Sequence, residues 1–142
     1  MADAVNPAEV WAPFGPFSMA VIQGNGHIVH LKGQVSLDRH GQVVGQHDIR
    51  AQVRQVLENI RSVMASMGGQ MADVISLVQY ATDIEAFMTT GDIRQEFFAV
   101  PYPYPVTTTV QVERLYRPEL MIEITAVAEI PRSRFRHPER GN

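Results

Sequence analysis

The 142 residues contain no cysteine. That absence excludes disulfides, thiolate nucleophiles and thiolate-held metals from this chain. Charge is also sparse: 19% of residues are charged, 12 basic against 15 acidic, for a formal net charge of −3. A balance of that size and sign does not draw a protein to nucleic acid. No apolar run approaches the roughly 18 residues a membrane-spanning helix needs, so no membrane partner is expected. The first eleven residues, "MADAVNPAEVW", lack the basic and apolar regions of a secretory leader. A cytoplasmic setting is the expectation that fits these gaps. Catalytic signatures are missing too. His27 and His30, three apart on a strand, point to opposite faces, and His40 and His47 fall in turns. No His/Asp/Glu cluster has metal-ligand spacing. "GNGH" lacks the lysine of a phosphate loop, and no serine sits in a nucleophile elbow.

What is present is a globular composition, 45% hydrophobic, at a length that suits one domain. Such a chain buries about 68–70% of the surface it exposes when unfolded. "NPAEVWAPFGPFS", with three prolines and a glycine, reads as an extended lead-in. "FSMAVIQ" and "HIVHLK" read as strands joined by a hairpin at residues 24–26, because Asn and Gly accept positive φ cheaply. Gly33 marks a bulge or a close backbone approach. "QVSLD" extends the strand, "DRHG" is a turn and "QVVG" is a further short extended piece.

Asp48 then caps a helix whose apolar face is Ile49, Val53, Val56, Leu57, Ile60, Val63, Met64 and Met67. Gly68 and Gly69 stop it. "DVISLVQYAT" is nearly continuously apolar and reads as a strand buried on both faces. Asp83 caps a second helix over residues 84–98, which the "TTG" in its middle should break near Gly91. After the rigid "VPYPYPV" come two last strands, "TTTVQVERL" and "MIEITAVAEI". The domain is expected over residues 1–131. The four-arginine tail, residues 132–142, reads as solvated and flexible.

The order is an α+β layer: one mixed sheet with two helices on one face. The other face alternates polar and apolar residues, a surface suited to pairing with copies of itself in a closed homo-oligomer. On this sheet Glu123 stands between apolar residues of a central-looking strand, where a carboxylate needs a partner or a wet cleft. Taken alone, Lys32 reads as a strand-edge gatekeeper and Arg94 as a solvated helix residue.

Six pieces in order carry a resemblance: "GPFSMAV", "GQVSLDRHGQVVG", "QVRQVLENIRSVMASMGG", "DVISLVQYATDIEAF", "FF" at 97–98, and "VERL" with "MIEITAVAEI". Over residues 13–131 the chain resembles the RidA family, also called YjgF/YER057c/UK114, which older labels call endoribonuclease L-PSP. The resemblance implies a chorismate-mutase-like subunit and a homotrimer whose sheets close into a central β-barrel. It implies ligand clefts between subunits, a small anionic ligand and no metal or organic cofactor. It further implies hydrolysis of reactive imines and enamines to keto acids and ammonia.

Carried over position by position, the family pattern is altered here. Its carboxylate-binding arginine falls at Thr107, which cannot form a bidentate charged fork. Its tyrosine is Phe17, and the serine before "GQ" is Lys32, beside Gly33. A common asparagine falls at Gly91 and a nearby tyrosine at Arg94, while the glutamate is kept as Glu123. The resemblance therefore places Phe17, Lys32, Gly33, Arg94 and Thr107 around the ligand. Glu123 is the group that positions or deprotonates water, and Lys32 or Arg94 takes over as the anion-binding group. Two functions are consistent with this: a cofactor-independent deaminase with a rebuilt anion site, or a non-catalytic metabolite-binding protein on the same scaffold. The negative charge opposes the older ribonuclease label.

Overall fold

In the computed structural model, residues 2–98 and 103–138 are described. Seven strands and three α-helices follow in the order β1 (Asp3–Val5), β2 (Ala20–Ile22), β3 (His27–His30), β4 (Gln34–Val35), α1 (Ile49–Ser66), β5 (Val74–Ala81), α2 (Ile84–Met88), α3 (Gly91–Phe97), β6 (Val106–Gln111) and β7 (Ile122–Ile130). The main sheet runs β3-β7-β5-β6, with β4 continuing the β3 side of β7. β5 and β6 are parallel, while β7 is antiparallel to β3, β4 and β5.

Helix α1 forms where its apolar periodicity predicts. The Asp48 carboxylate accepts the Ala51 N–H at 3.1 Å and replaces a bond the first turn cannot make internally. Val53, Val56, Leu57, Ile60 and Met64 are fully buried. They pack against Ile122, Ile124, Ala126, Ala128 and Ile130, the alternate residues of β7. Gly68 ends the helix at φ +80°, and the Gly69 N–H reaches back to the Met64 carbonyl at 2.8 Å. The buried Gln52 is fully used: its Nε2 donates to the Gly45 and Glu119 carbonyls and its Oε1 accepts the Met121 N–H. The second helical stretch divides into α2 and α3 around Thr90, as the "TTG" sequence predicts.

Several expectations need correction. β5 is not buried on both faces. Leu77, Gln79 and Ala81 face the core, whereas Ser76, Val78 and Tyr80 are half-exposed on a sheet face that no helix covers. Residues 24–26 do not turn a hairpin: β2 pairs with the N-terminal β1, and β3 pairs with β7. The two glycine N–H groups instead converge on the Glu129 carboxylate, each at 2.8 Å. The lead-in holds a strand, β1. Residues 132–138 are not a loose tail: Arg134 clamps the buried Asp73 at 2.7 and 3.0 Å, and Phe135 stacks on His27 at 4.1 Å. The last four residues of the expected tail lie outside the described residues.

Candidate active site

A cavity of about 560 Å³ opens beside the core, between the N-terminal segment, the sheet and the α2–α3 pair. Its floor is the helix-facing side of β5 and β6. Leu77 pairs with Thr107 and Gln79 with Thr109, so these four side chains share one face. One wall is Ile84, Met88, Gly91, Arg94 and Phe98; the opposite wall is aromatic. Trp11, Phe14 and Phe17 contact one another with ring centroids 5.2–5.8 Å apart. Trp11 and Phe14 nonetheless remain 61% and 79% exposed. Ser18 pins this segment to the body: its N–H donates to the Pro105 carbonyl at 2.9 Å and its hydroxyl to the Tyr104 carbonyl at 2.7 Å.

Arg94 is the cavity's cation. Burial pushes its pKa below the usual arginine value, against a smaller opposing pull from Asp92, and a guanidinium still keeps its charge under that pressure. Its guanidinium lies 4.2 Å over the Phe87 ring and reaches the Thr90 hydroxyl only at 3.5 Å. Asp92 is taken by Arg50 through two hydrogen bonds, at 2.6 and 3.1 Å. Among the described residues no carboxylate pairs with Arg94. Gln79, 3% exposed, donates from Nε2 to the Thr109 hydroxyl at 2.8 Å, and its buried Oε1 has no partner among the described residues. Cation, unmet acceptor and apolar walls together fit an anion with a sizeable apolar body.

Three of the sequence-derived site residues, Phe17, Arg94 and Thr107, thus meet in one cavity. The other three gather elsewhere. Glu123 pairs with Tyr80 and with Val35, on the sheet face opposite Thr107. Gly33 lies against it so closely that a Cβ there would overlap the Glu123 carboxylate. Lys32 is exposed beside them; its ammonium lies 3.5 Å from the Gly33 carbonyl and makes no ion pair with Glu123. Within one chain, the two groups are separated by the sheet. Among the described residues no group of three or more His, Asp or Glu side chains is placed to hold a metal.

Sequence reasoning missed Trp11, Phe14 and Gln79. Their signals were three aromatics at intervals of three in a proline-rich segment, and one amide in an otherwise apolar strand.

Residues 8–130 match the family model described as Endoribonuclease L-PSP. This chain belongs to that family. The Rid-family protein YyfB of Yersinia pestis, described as of unknown function, superposes with a TM-score of 0.82 at 33% identity, over 91% of this chain and 98% of that one. Among curated relatives, the RutC family protein PH0854 of Pyrococcus horikoshii is 36% identical over 117 residues, 82% of this chain and 88% of its own. Rv2704 of Mycobacterium tuberculosis, a member of the YjgF/YER057c/UK114 family, matches at a TM-score of 0.62 and 27% identity over 92% of this chain and all of that one. The mixed α+β fold of this Rid-family chain is that of these solved relatives. No helix among its described residues is long and apolar enough to cross a membrane.

Proposed function

We propose that this Rid-family chain is a cofactor-independent cytoplasmic hydrolase of small anionic imines and enamines, working as a homotrimer. The observation that carries the reading is Arg94: a cavity-lining guanidinium with no carboxylate of its own among the described residues. It borders the same cavity as Thr107, where the family pattern has an arginine, so the anion-binding charge is relocated rather than lost. Arg94 holds the substrate carboxylate through charge-assisted hydrogen bonds. Water adds to the C=N carbon, and its proton passes to the nitrogen. The C–N bond then breaks, a carbonyl forms and ammonia leaves.

Glu123 is the group proposed to take the proton from water. In its own chain it lies across the sheet from Thr107. It therefore acts in a neighbour's cavity, with Lys32 and Gly33 beside it. The uncovered sheet face, bearing Val78, Tyr80 and Val127, supplies a surface for that assembly. In the trimer the three such faces line the central barrel.

The test is ammonia release from freshly generated imines. Arg94→Met should lower kcat/KM at least tenfold, and Glu123→Gln should abolish turnover while retaining keto-acid binding. Trimers assembled from a mixture of the two variants should regain activity, because some sites then combine an intact Arg94 with an intact Glu123. No recovery in mixed trimers would place both groups in one chain and overturn the shared site. A second reading is favoured by the missing functional groups at Phe17 and Thr107. It is a metabolite-binding protein, and saturable keto-acid binding with no ammonia release from any imine would establish it.

A further inference from the structure

Resting on that reading, we propose that the cavity selects a 2-imino acid, or its enamine tautomer, with a large flat apolar side chain. Its carboxylate sits on Arg94, its nitrogen donates an N–H to Gln79 Oε1, and its side chain lies against Trp11 and Phe14. Gln79 decides the nitrogen. Its amide is buried, and its Nε2 is committed to Thr109, which leaves one acceptor facing ligand space without a donor. A carboxylate cannot satisfy that acceptor, since it carries no hydrogen. An imine or enamine N–H can, and a buried amide left unpaired otherwise discriminates strongly against ligands that lack the donor.

The aromatic wall decides the side chain. Trp11 and Phe14 are largely exposed although they sit among other rings, so they have apolar surface left to cover. A flat side chain covers it by stacking, which aromatic faces favour. A two- or three-carbon acid held by Arg94 would leave most of a cavity of about 560 Å³ to water.

Stable planar mimics test both halves by calorimetry on the assembled protein. Indole-2-carboxylate presents a carboxylate, an adjacent N–H and a flat bicyclic body. Benzofuran-2-carboxylate has the same shape without the N–H, and pyrrole-2-carboxylate keeps the N–H but shrinks the body. The indole should bind at least tenfold tighter than either. Gln79→Met should remove the gap between indole and benzofuran while leaving benzofuran affinity within twofold. Trp11→Ala combined with Phe14→Ala should close the gap between indole and pyrrole. Equal binding of indole and benzofuran to the unaltered protein overturns the nitrogen assignment, with no variant needed. Equal binding of indole and pyrrole overturns the side-chain assignment, and no binding of any mimic overturns both. The hydrolase reading fails separately: the predicted mimic preferences with no ammonia from any imine would keep the ligand class and remove the reaction.

Discussion

Arg94 and Glu129 show how placement alone turns a common side chain into a tool or a brace. Both are withdrawn from water, but only Glu129 is fully answered. Burial alone would raise the Glu129 pKa, yet the N–H groups of Gly24 and Gly26 outweigh it and hold the carboxyl below its usual value. A depressed folded-state pKa stabilises the protein above the unfolded-state value of about 4.3, and that contribution is lost as pH falls through the lower folded value. Glu129→Gln turns an amide NH₂ toward one of the two glycine donors. It should cost roughly 1–3 kcal/mol at neutral pH. Urea midpoints measured against pH should also fall less steeply in the variant below about pH 4.3. Parallel profiles for the two proteins would show that the carboxylate charge is not what holds the loop. Arg94 has no such answer among its neighbours, which is why its charge is available to a ligand.

At the scale of elements, the close of α1 couples to the C-terminal segment. Gly68 is left-handed, and a Cβ there would overlap the Arg134 carbonyl. The Arg134 guanidinium in turn donates to the Gly68 carbonyl and to Asp73, and the Arg136 N–H donates to the Met67 carbonyl. Gly68→Ala should therefore cost at least about 1–2 kcal/mol for the backbone conformation alone. It should also expose the arginines of residues 132–136 to trypsin sooner than in the unaltered protein. Unchanged cleavage would mean the segment docks independently of the helix end. Elements set by local signals were legible in the sequence: the Asp48 cap with its apolar face, the break before Gly91, and the apolar runs of β5 and β7. Elements set at long range were not. Gly24 and Gly26 carry an ordinary hairpin signature, but the group that claims them is more than a hundred residues away. β1 has three residues and no pattern of its own, so only its pairing with β2 reveals it.

For the whole molecule, the uncovered sheet face is the feature on which assembly turns. Val78→Arg on that face should leave the subunit folded, because the side chain is half-exposed in the single chain. It should dissociate the homotrimer, read by light scattering, and abolish ammonia release with it. An intact trimer would move the interface elsewhere. The site was legible in the sequence only through the family pattern, which led to Phe17, Thr107 and Arg94 but joined them to Glu123 without revealing the intervening sheet. Gln79 stayed hidden because burial, not sequence context, makes its amide unusual. The aromatic wall has a geometry of its own. β1 pairs with β2, and the Asn6 side chain accepts the Met19 N–H at 2.8 Å, so residues 6–19 form a loop fastened at both ends. Trp11 and Phe14 ride on that loop and sample a confined volume above the cavity, not the sweep of a free arm. Their effective concentration at the ligand is therefore set by a three-residue ribbon that touches no ligand. Trimming or fusing partners to the first five residues would change apparent affinity while every contacting side chain stayed the same.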